Sequence, residues 1–418
     1  MIKPILFLAI FTIPISIDYT LFEPSRDAFS GWAGGMLLTL SDLIFLSLLV
    51  AWKLETLHLP RLRARVIFWR PIAFFIAACL ISVPGSIWSV FGYIAVFQLG
   101  KLALIYYGIS RIVLQDRRYI PVACSALIAA LSFQACLATV QFFTQDYYSF
   151  LRTGTHAALT RFGDLIRSHG TVGVPNALAA FIIPVLLLVV VKLLHDEQAN
   201  RPVYFFILCL GSAALLFTFS RSGWCTFALS ALALFVRSAR IKRPPPYVYP
   251  LLAIGVAVVL LSGIVDSRIS SDDQGSAQDR WYLMLIAARM IRAHFVTGVG
   301  INNYWFAMNH YIPPDYGWSF VYVVHNVFLL VFAETGIIGF IAVILLFATP
   351  VIKLYPLARC STDEDGRIAL WIVTSIVGIA FLNLVEFTWA SSIICSFYFL
   401  MLGLGDALVN AAEGANKE

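Results

Sequence analysis

The chain has 418 residues, of which 60% are hydrophobic and 12% are charged, and its mean hydropathy is +0.84. A soluble globular domain carries roughly 25% charged residues, so this composition excludes an ordinary soluble domain and predicts a polytopic membrane protein. The net charge of +6 comes mostly from basic loops between apolar segments and does not argue for nucleic-acid binding.

Apolar stretches recur along the whole chain at lengths close to the roughly 20 residues that a helix needs to cross a bilayer. They predict an all-α membrane protein with about twelve transmembrane helices. The first stretch is as short as a signal peptide, but no small-residue cleavage site follows it, so we expect it to be retained. The predicted spans are residues 2–17, 32–52, 71–90, 92–110, 120–142, 174–194, 203–220, 222–237, 249–265, 324–352, 368–387 and 388–411.

The Lys and Arg residues predict how the helices are oriented. With the N-terminus inside, 19 of the 29 basic residues fall on the cytoplasmic side, and the C-terminus is cytoplasmic as well. Two outer loops are then long, residues 143–173 and residues 266–323, and the second contains a predicted interfacial helix at 279–295. We expect one membrane domain over residues 1–418.

The sequence carries none of the common metal or nucleotide motifs. Six of its seven cysteines fall in predicted helices and the seventh in a cytoplasmic loop, which does not fit a disulfide framework. There is no CxxC pair, no HExxH, no Walker loop and no Gly-rich dinucleotide fingerprint. We therefore expect no metal and no cofactor, and a donor for group transfer would arrive as a membrane lipid.

Ten basic residues break the positive-inside pattern. A charge close to hydrocarbon costs roughly 2.5 to 3.5 kcal/mol on insertion scales, so it usually faces a cavity, a partner or the interface. A cluster of outward guanidinium groups indicates an anionic ligand, because a guanidinium can bind phosphate oxygens in bidentate fashion. The ten residues are Arg26, Lys101, Arg152, Arg161, Arg167, Arg221, Arg268, Arg280, Arg289 and Arg292.

Arg280 of this set is a candidate diphosphate ligand, and we expect Arg221 to face a cavity, a partner or the interface. Arg221 lies in FTFSRSGW between two predicted helices, where it could also extend to the outer headgroups. Arg280 begins the predicted interfacial helix. Arg289 and Arg292, near the end of that helix, could bind substrate or anionic lipid headgroups. The apolar face that we assign to the helix consists of Trp281, Leu285, Ala288 and Ile291.

His325 and Asn326 stand at the start of the tenth predicted span, in SFVYVVHNVFLLVFAETGIIGF. A histidine has an ordinary pKa near 6.5, which suits it to accept a proton from a hydroxyl group. An interfacial histidine that caps the helix is the alternative. Glu334 follows nine residues later on the opposite helix face, so we expect it to pair with another element. The other intramembrane charges, which we do not assign to catalysis, are Asp42, Lys101 and Glu386.

Four stretches, taken in order, resemble the O-antigen ligase/polymerase superfamily of bacterial inner-membrane glycosyltransferases. These are RSHGTVGVPNALAAFIIP, FSRSGW, DRWYLMLIAARMIRAHFVTGVGINNY and VHNVFLLVFAETGIIG. The resemblance implies a bundle of about twelve spans with a large periplasmic loop between helices 9 and 10. It also implies an active site that faces the periplasm.

The resemblance further implies an inverting, metal-independent transfer of glycan. The donor would be an undecaprenyl-diphosphate-linked glycan, and the acceptor a hydroxyl of lipid A-core or of a growing glycan. By the same resemblance Arg221, Arg280 and His325 would be the catalytic residues. The candidate substrate-binding residues are Arg167, His169, Asn176, Asn326 and Arg289.

Three functions remain open from the sequence. An O-antigen ligase attaches glycan to lipid A-core, whereas an O-antigen or exopolysaccharide polymerase joins repeat units from the same donor. A lipid or anion transporter is a different class, and outward arginines would bind its substrate. Transporters commonly have related halves, and we find no repeat between residues 1–200 and 201–418. We therefore favour a glycosyltransferase over a transporter. Within that class we expect an O-antigen ligase, and the polymerase stays open as the alternative.

Overall fold

The computed structural model describes most of the chain in nine stretches. The ninth predicted span, 249–265, lies outside them, as do most of the first predicted outer loop and residues 266–275 and 314–321 of the second. The described residues are 2–24, 34–58, 65–146, 161–162, 165–195, 200–241, 276–313, 322–360 and 363–415.

The described residues are mostly helical, and each predicted span other than 249–265 overlaps a helix. Short 3₁₀ turns cover Val83–Gly85, Met308–Tyr311 and Thr388–Ala390. The helices are α1 (Ile2–Phe11), α2 (Leu40–Glu55), α3 (Trp69–Ser82), α4 (Ser89–Gln115), α5 (Tyr119–Thr144), α6 (Pro175–His195), α7 (Arg201–Phe217), α8 (Arg221–Ile241), α9 (Ser276–Ala293), α10 (Tyr304–Ala307), α11 (Val327–Cys360), α12 (Glu364–Leu382) and α13 (Ser392–Ala415).

Six helices in the described part of the chain are long and apolar enough to cross a membrane: α4, α5, α6, α11, α12 and α13. Shorter apolar helices are α1, α3 and α7. The protein is therefore a polytopic membrane protein, as the composition predicts. That all twelve predicted segments cross the bilayer stays a prediction.

Two short antiparallel hairpins add to the all-α architecture. Strands β1 (Asp18–Phe22) and β2 (Met36–Thr39) pair before α2, with a register shift between Thr20 and Phe22. Strands β3 (Arg161–Phe162) and β4 (Leu165–Ile166) pair before α6. Both hairpins lie in connections between helices. The sequence does not predict them, because an alternation of apolar and polar residues this short cannot be recognised in a mostly apolar chain.

The most buried helices are α6 and α13, and α13 packs against α4. Asp406 of α13 is fully buried, and its carboxylate accepts hydrogen bonds from Tyr106 and Ser110 of α4, both at 2.6 Å. It also accepts from the backbone N–H groups of Ile67 and Phe68, at 3.0 and 3.2 Å. A buried carboxylate is stable only with such partners, so Asp406 joins α13 to α4 and to the start of α3.

Asp42 and Lys101, two of the intramembrane charges, form an ion pair. Lys101 Nζ lies 2.6 Å from Asp42 Oδ2 and also donates to the Leu37 carbonyl. Asp42 in turn accepts from the Thr39 backbone N–H, which closes the N-terminal cap of α2. The pair therefore links α2 and α4 and has a structural role, in keeping with its exclusion from the candidate site.

Helix α11 is interrupted at Gly336, where φ is +66° and ψ is −165°. The segment before α10 crosses the helix at this break and bonds to its backbone. Val299 N–H donates to the Ala333 carbonyl at 3.0 Å, and Gly300 N–H donates to the Glu334 carbonyl at 2.8 Å. Backbone carbonyls beside the break thus find hydrogen-bond partners within the protein. Non-helical backbone at membrane depth is tolerated only under this condition.

Glu334 is buried beside this crossing and pairs with another element, as predicted. Its Oε1 accepts the backbone N–H of Tyr304 at 3.0 Å, so the carboxylate holds the start of α10. Gly298 makes the approach possible, since a Cβ there would lie 2.2 Å from the backbone carbon of Glu334. Glu334 therefore fixes the segment that follows α9.

Gly336→Ala should destabilise the protein strongly. The added Cβ would lie 2.1 Å from the Val296 carbonyl oxygen, and the backbone conformation is one that essentially only glycine adopts. We expect a loss of about 3 kcal/mol or more in the free energy of unfolding, combining backbone strain and overlap. Thermal unfolding of the detergent-solubilised chain measures it.

Gly100→Ala is the matched control for this substitution. Gly100 lies inside α4, and a Cβ there meets no atom within 4 Å, so alanine should be neutral or slightly stabilising. Equal melting temperatures for the two variants would contradict the close crossing at Gly336.

Candidate functional site

Glu386 is the centre of a polar cluster where several helices end. It lies in the connection between α12 and α13 and is only 5% exposed. Its Oε1 accepts from Arg280 Nη2 and from Ser222 Oγ, both at 3.0 Å, and its Oε2 accepts from Asn176 Nδ2 at 2.9 Å. The buried carboxylate thus draws together α6, α8 and α9.

Arg167 extends the cluster through Asn176. Arg167 Nη2 donates to Asn176 Oδ1 at 2.8 Å, and its Nε donates to the Thr218 carbonyl at 2.8 Å. These bonds fix the guanidinium between the start of α6 and the corner that joins α7 to α8. Arg167, Asn176, Glu386 and Arg280 therefore form one continuous hydrogen-bonded chain across four segments.

Arg221 adjoins the cluster through its neighbour in the chain. It is the first residue of α8, next to Ser222, which donates to Glu386. The corner before it is tight, because the buried Phe219 adopts a positive φ of 52° that side-chain-bearing residues rarely take. The sequence FTFSRSGW thus places an arginine at the edge of the cluster.

His325 lies two residues before α11, outside the candidate span that begins at Val327. Its Nδ1 is buried and has no hydrogen-bond partner among the residues that the structure describes. Burial lowers the pKa of His325 below 6.5. The charge of Arg280 also lowers it, whereas the charge of Glu386 and a backbone hydrogen bond with Val323 raise it. The imidazole is therefore neutral at pH 7 and lies within electrostatic range of the ion pair.

Asn326, the neighbour of His325, caps α11. Its Oδ1 accepts the backbone N–H of Leu329 at 3.0 Å, and its Nδ2 donates to the Leu384 carbonyl at 3.0 Å. The Val327 N–H also donates to the Asn383 carbonyl at 2.9 Å. These bonds join the start of α11 to the connection that carries Glu386, so Asn326 holds His325 and Glu386 in one unit.

His169 is buried in the turn that leads from β4 to α6. The side chain of Gln141 on α5 accepts the backbone N–H groups of His169 and Gly170, at 3.2 and 2.8 Å. The turn is thereby fixed to α5 two residues after Arg167. His169 therefore contributes to the shape of this outer segment.

Arg289 is exposed and lies away from the cluster. It is nine residues after Arg280 on α9, which puts it about 13 Å further along the helix and on the opposite face. Its Nη1 lies 3.5 Å from the Tyr311 carbonyl oxygen. The structure therefore separates Arg289 from the other candidate site residues.

Hydropathy does not identify Glu386 as a member of the site. It assigns residues 368–387 to a span, whereas α12 ends at Leu382 and Glu386 lies in the connection beyond it. Val385 and Phe387 flank Glu386, and hydropathy therefore places the glutamate inside a helix. The sequence does contain a signal for Glu386. The outward arginines need a counter-charge, and Glu386 is an acidic residue near the outer end of a predicted helix.

A comparison with known families covers the centre of the chain. Residues 204–344 match the family described as O-antigen ligase. This part of the chain is an O-antigen ligase family domain. No curated protein shows a significant match to the chain.

The O-antigen ligase domain runs from α7 into the second half of α11 and contains Arg221, Arg280 and His325. The activity of this family is membrane glycan transfer of the ligase or polymerase type. Asn176 and Glu386 lie outside the matched residues, yet they bond directly to residues of the domain or to each other. The polar cluster is thus assembled from the domain and from the helices that flank it.

Proposed function

We propose that the protein is a glycosyltransferase of the bacterial inner membrane, acting as an O-antigen ligase. It would move a glycan from an undecaprenyl-diphosphate carrier to a hydroxyl of lipid A-core at the periplasmic face. The observation that carries this proposal is the arrangement of Arg280 on buried Glu386, with a neutral His325 within range of both charges. A polymerase of O-antigen or exopolysaccharide is the alternative, because it would use the same donor.

The positive-inside pattern supports the orientation of this site. The cluster lies at the starts of α6, α8 and α11 and at the end of α12, which the distribution of Lys and Arg assigns to the outer side. A lipid-linked donor in the outer leaflet would present its diphosphate at this depth, and the acceptor would approach from the periplasm.

His325 would act as the general base. An acceptor hydroxyl is a weak nucleophile at neutral pH, and a neutral imidazole can take its proton as the oxygen attacks the anomeric carbon. The bond between that carbon and the diphosphate oxygen breaks, and undecaprenyl diphosphate leaves with the electron pair. Direct attack from the opposite side inverts the configuration at the anomeric carbon.

Arg280 and Arg221 would stabilise the charge that grows on the departing diphosphate. Arg280 has five N–H donors, and only Nη2 is bonded to another of the described residues. Its side chain is 39% exposed, so the guanidinium can meet a ligand while Glu386 holds it. Fixed positive groups at the point where charge develops lower the barrier because they need no reorganisation.

Glu386 would position Arg280 and balance its charge when no donor is bound. Arg167 and Asn176 continue the chain of hydrogen bonds beyond Glu386. They are proposed to bind the donor or to orient the residues that bind it. His169, Asn326 and Arg289 stay candidates for contacts with the glycan or with lipid, with Asn326 also capping α11. This scheme uses arginines where other transferases use a metal ion, and it calls for no cofactor.

Deletion of the gene in its native host tests the proposed role. Surface glycan and the undecaprenyl-linked pool would be analysed together, with the wild-type gene returned on a plasmid as the control. For a ligase we expect long chains left on the carrier and bare lipid A-core at the surface. Single repeat units in place of long chains would identify a polymerase instead, and an unchanged glycan profile would contradict both and favour a transporter.

A further inference from the structure

A second polar site lies at the other end of α11 from His325. A cavity of about 690 Å³ opens there between the start of α3, the last part of α11 and the end of α13. From Gly336 to Lys353 the helix advances about 25 Å, so this cavity and the Glu386 cluster lie near opposite membrane faces. The positive-inside pattern assigns the cavity to the cytoplasmic side.

The charges on the cavity wall are mostly positive. Arg65, Arg70 and Lys353 contribute three positive groups, against one carboxylate from Glu413. Lys353 Nζ lies 3.8 Å from Glu413 Oε1, and both side chains are about half exposed, so water screens this pair. The net charge of the wall therefore favours an anion.

The cavity becomes apolar towards the middle of the membrane. Leu345, Thr349 and Lys353 are spaced four residues apart and form one stripe of α11 that is about 12 Å long. On α3, Phe74 lies one turn deeper than Arg70. Both walls thus change from basic to apolar in the same direction, and Phe74 and Leu345 are exposed, at 39% and 42%.

We propose that this cavity binds an anionic glycerophospholipid of the cytoplasmic leaflet. Its phosphate would lie among Arg65, Arg70 and Lys353, and an acyl chain would follow Phe74 and Leu345. Basic pockets between membrane helices on this side suit such headgroups. A free phosphate would use the basic end alone, whereas the lipid uses both ends, and this difference separates the two ligands.

Native mass spectrometry of the full chain in detergent, titrated with dioleoylphosphatidylglycerol, tests the proposal. The Arg70→Ala/Lys353→Ala variant should bind this lipid about 25-fold more weakly, because each basic residue near a lipid surface contributes roughly a factor of five. The matched control is Lys53→Ala/Arg118→Ala, which removes one Lys and one Arg that are exposed and lie outside the cavity. The control should bind as the wild type does.

Leu345→Trp provides an independent check because it fills the apolar end and leaves every charge in place. It should weaken binding of the lipid without changing the weak binding of inorganic phosphate. Dioleoylphosphatidylcholine should bind the wild type at least tenfold more weakly than the anionic lipid. Equal losses in the cavity and control pairs, equal affinity for the two lipids, or displacement of the lipid by millimolar phosphate would each overturn the proposal.

Discussion

His325→Ala should lower the rate of glycan transfer by about 10²- to 10⁴-fold, the range typical of a general base. The rate would be measured in membranes from the deletion host that carry each variant at matched abundance. Because Asn326 and not His325 caps α11, the fold should be retained. His58→Ala is the control, since His58 is exposed at the far end of α2 and should leave the rate unchanged.

The pH profile of the wild type gives a second readout for His325. A base is active in its deprotonated form, so activity should rise with pH through the pKa of the imidazole. Burial lowers that pKa below its ordinary 6.5, so the acid limb of kcat/KM, which reports the free enzyme, should lie below pH 6.5 and kcat/KM should be level around neutrality. Full activity of His325→Ala, or an acid limb above pH 7, would contradict the proposed role.

Arg280→Ala should lower transfer by about 10²- to 10³-fold, comparable to the loss of one preorganised donor in other active sites. It should also lower stability, because it removes a hydrogen-bonded partner from buried Glu386 and leaves that carboxylate with Asn176 and Ser222. Breaking such a bond costs about 1–3 kcal/mol. The transfer assay and thermal unfolding report the two effects separately.

The Arg280→Ala/Glu386→Gln double variant distinguishes a catalytic role from a structural one. Neutral glutamine no longer needs the guanidinium, so the double variant should regain much of the lost stability and yet stay inactive. Asp42→Asn is the control, because it removes the carboxylate of another ion pair and should lower stability without changing kcat. Recovery of transfer together with stability would show that Arg280 is only structural.

Hydropathy and charge were enough to predict the membrane class and the approximate place of every described long helix. They could not place the ends of those helices, because apolar residues continue beyond them into the connections. The connection after α12 is the important case, since Leu384 and Val385 make it look like helix. The break at Gly336 was equally hidden, although the glycine itself was a sign of a close approach.

The apolar face predicted for the interfacial helix is not the face that packs against the protein, and that it lies on the membrane surface stays a prediction. In α9 the buried residues are Leu283, Ile286, Ala287 and Met290, whereas Trp281 is 58% exposed. Most positions from Trp281 to Ile291 are apolar, so the helical period allows two faces and cannot choose between them. Packing against α11 selects the buried face, and this information lies elsewhere in the chain.

The arginines and His325 could be picked out because charges are rare in such a chain and stand near helix ends. The sequence could not show which of them meet, since Asn176, Ser222, Arg280 and Glu386 come from four distant segments. Arg289 illustrates the limit, because it is as basic as Arg280 and lies on the same helix, yet it points away from the cluster.

Reconstitution of the purified chain would show whether the protein itself transfers glycan from the lipid-linked donor. Liposomes would contain the protein, an undecaprenyl-diphosphate-linked glycan and lipid A-core, and the release of undecaprenyl diphosphate would be measured with EDTA present. Wild-type protein should release the carrier in step with glycan transfer, and His325→Ala and Arg280→Ala should not. Release at the wild-type rate by both variants, or none by the wild type with either lipid A-core or a glycan acceptor, would contradict the proposed function.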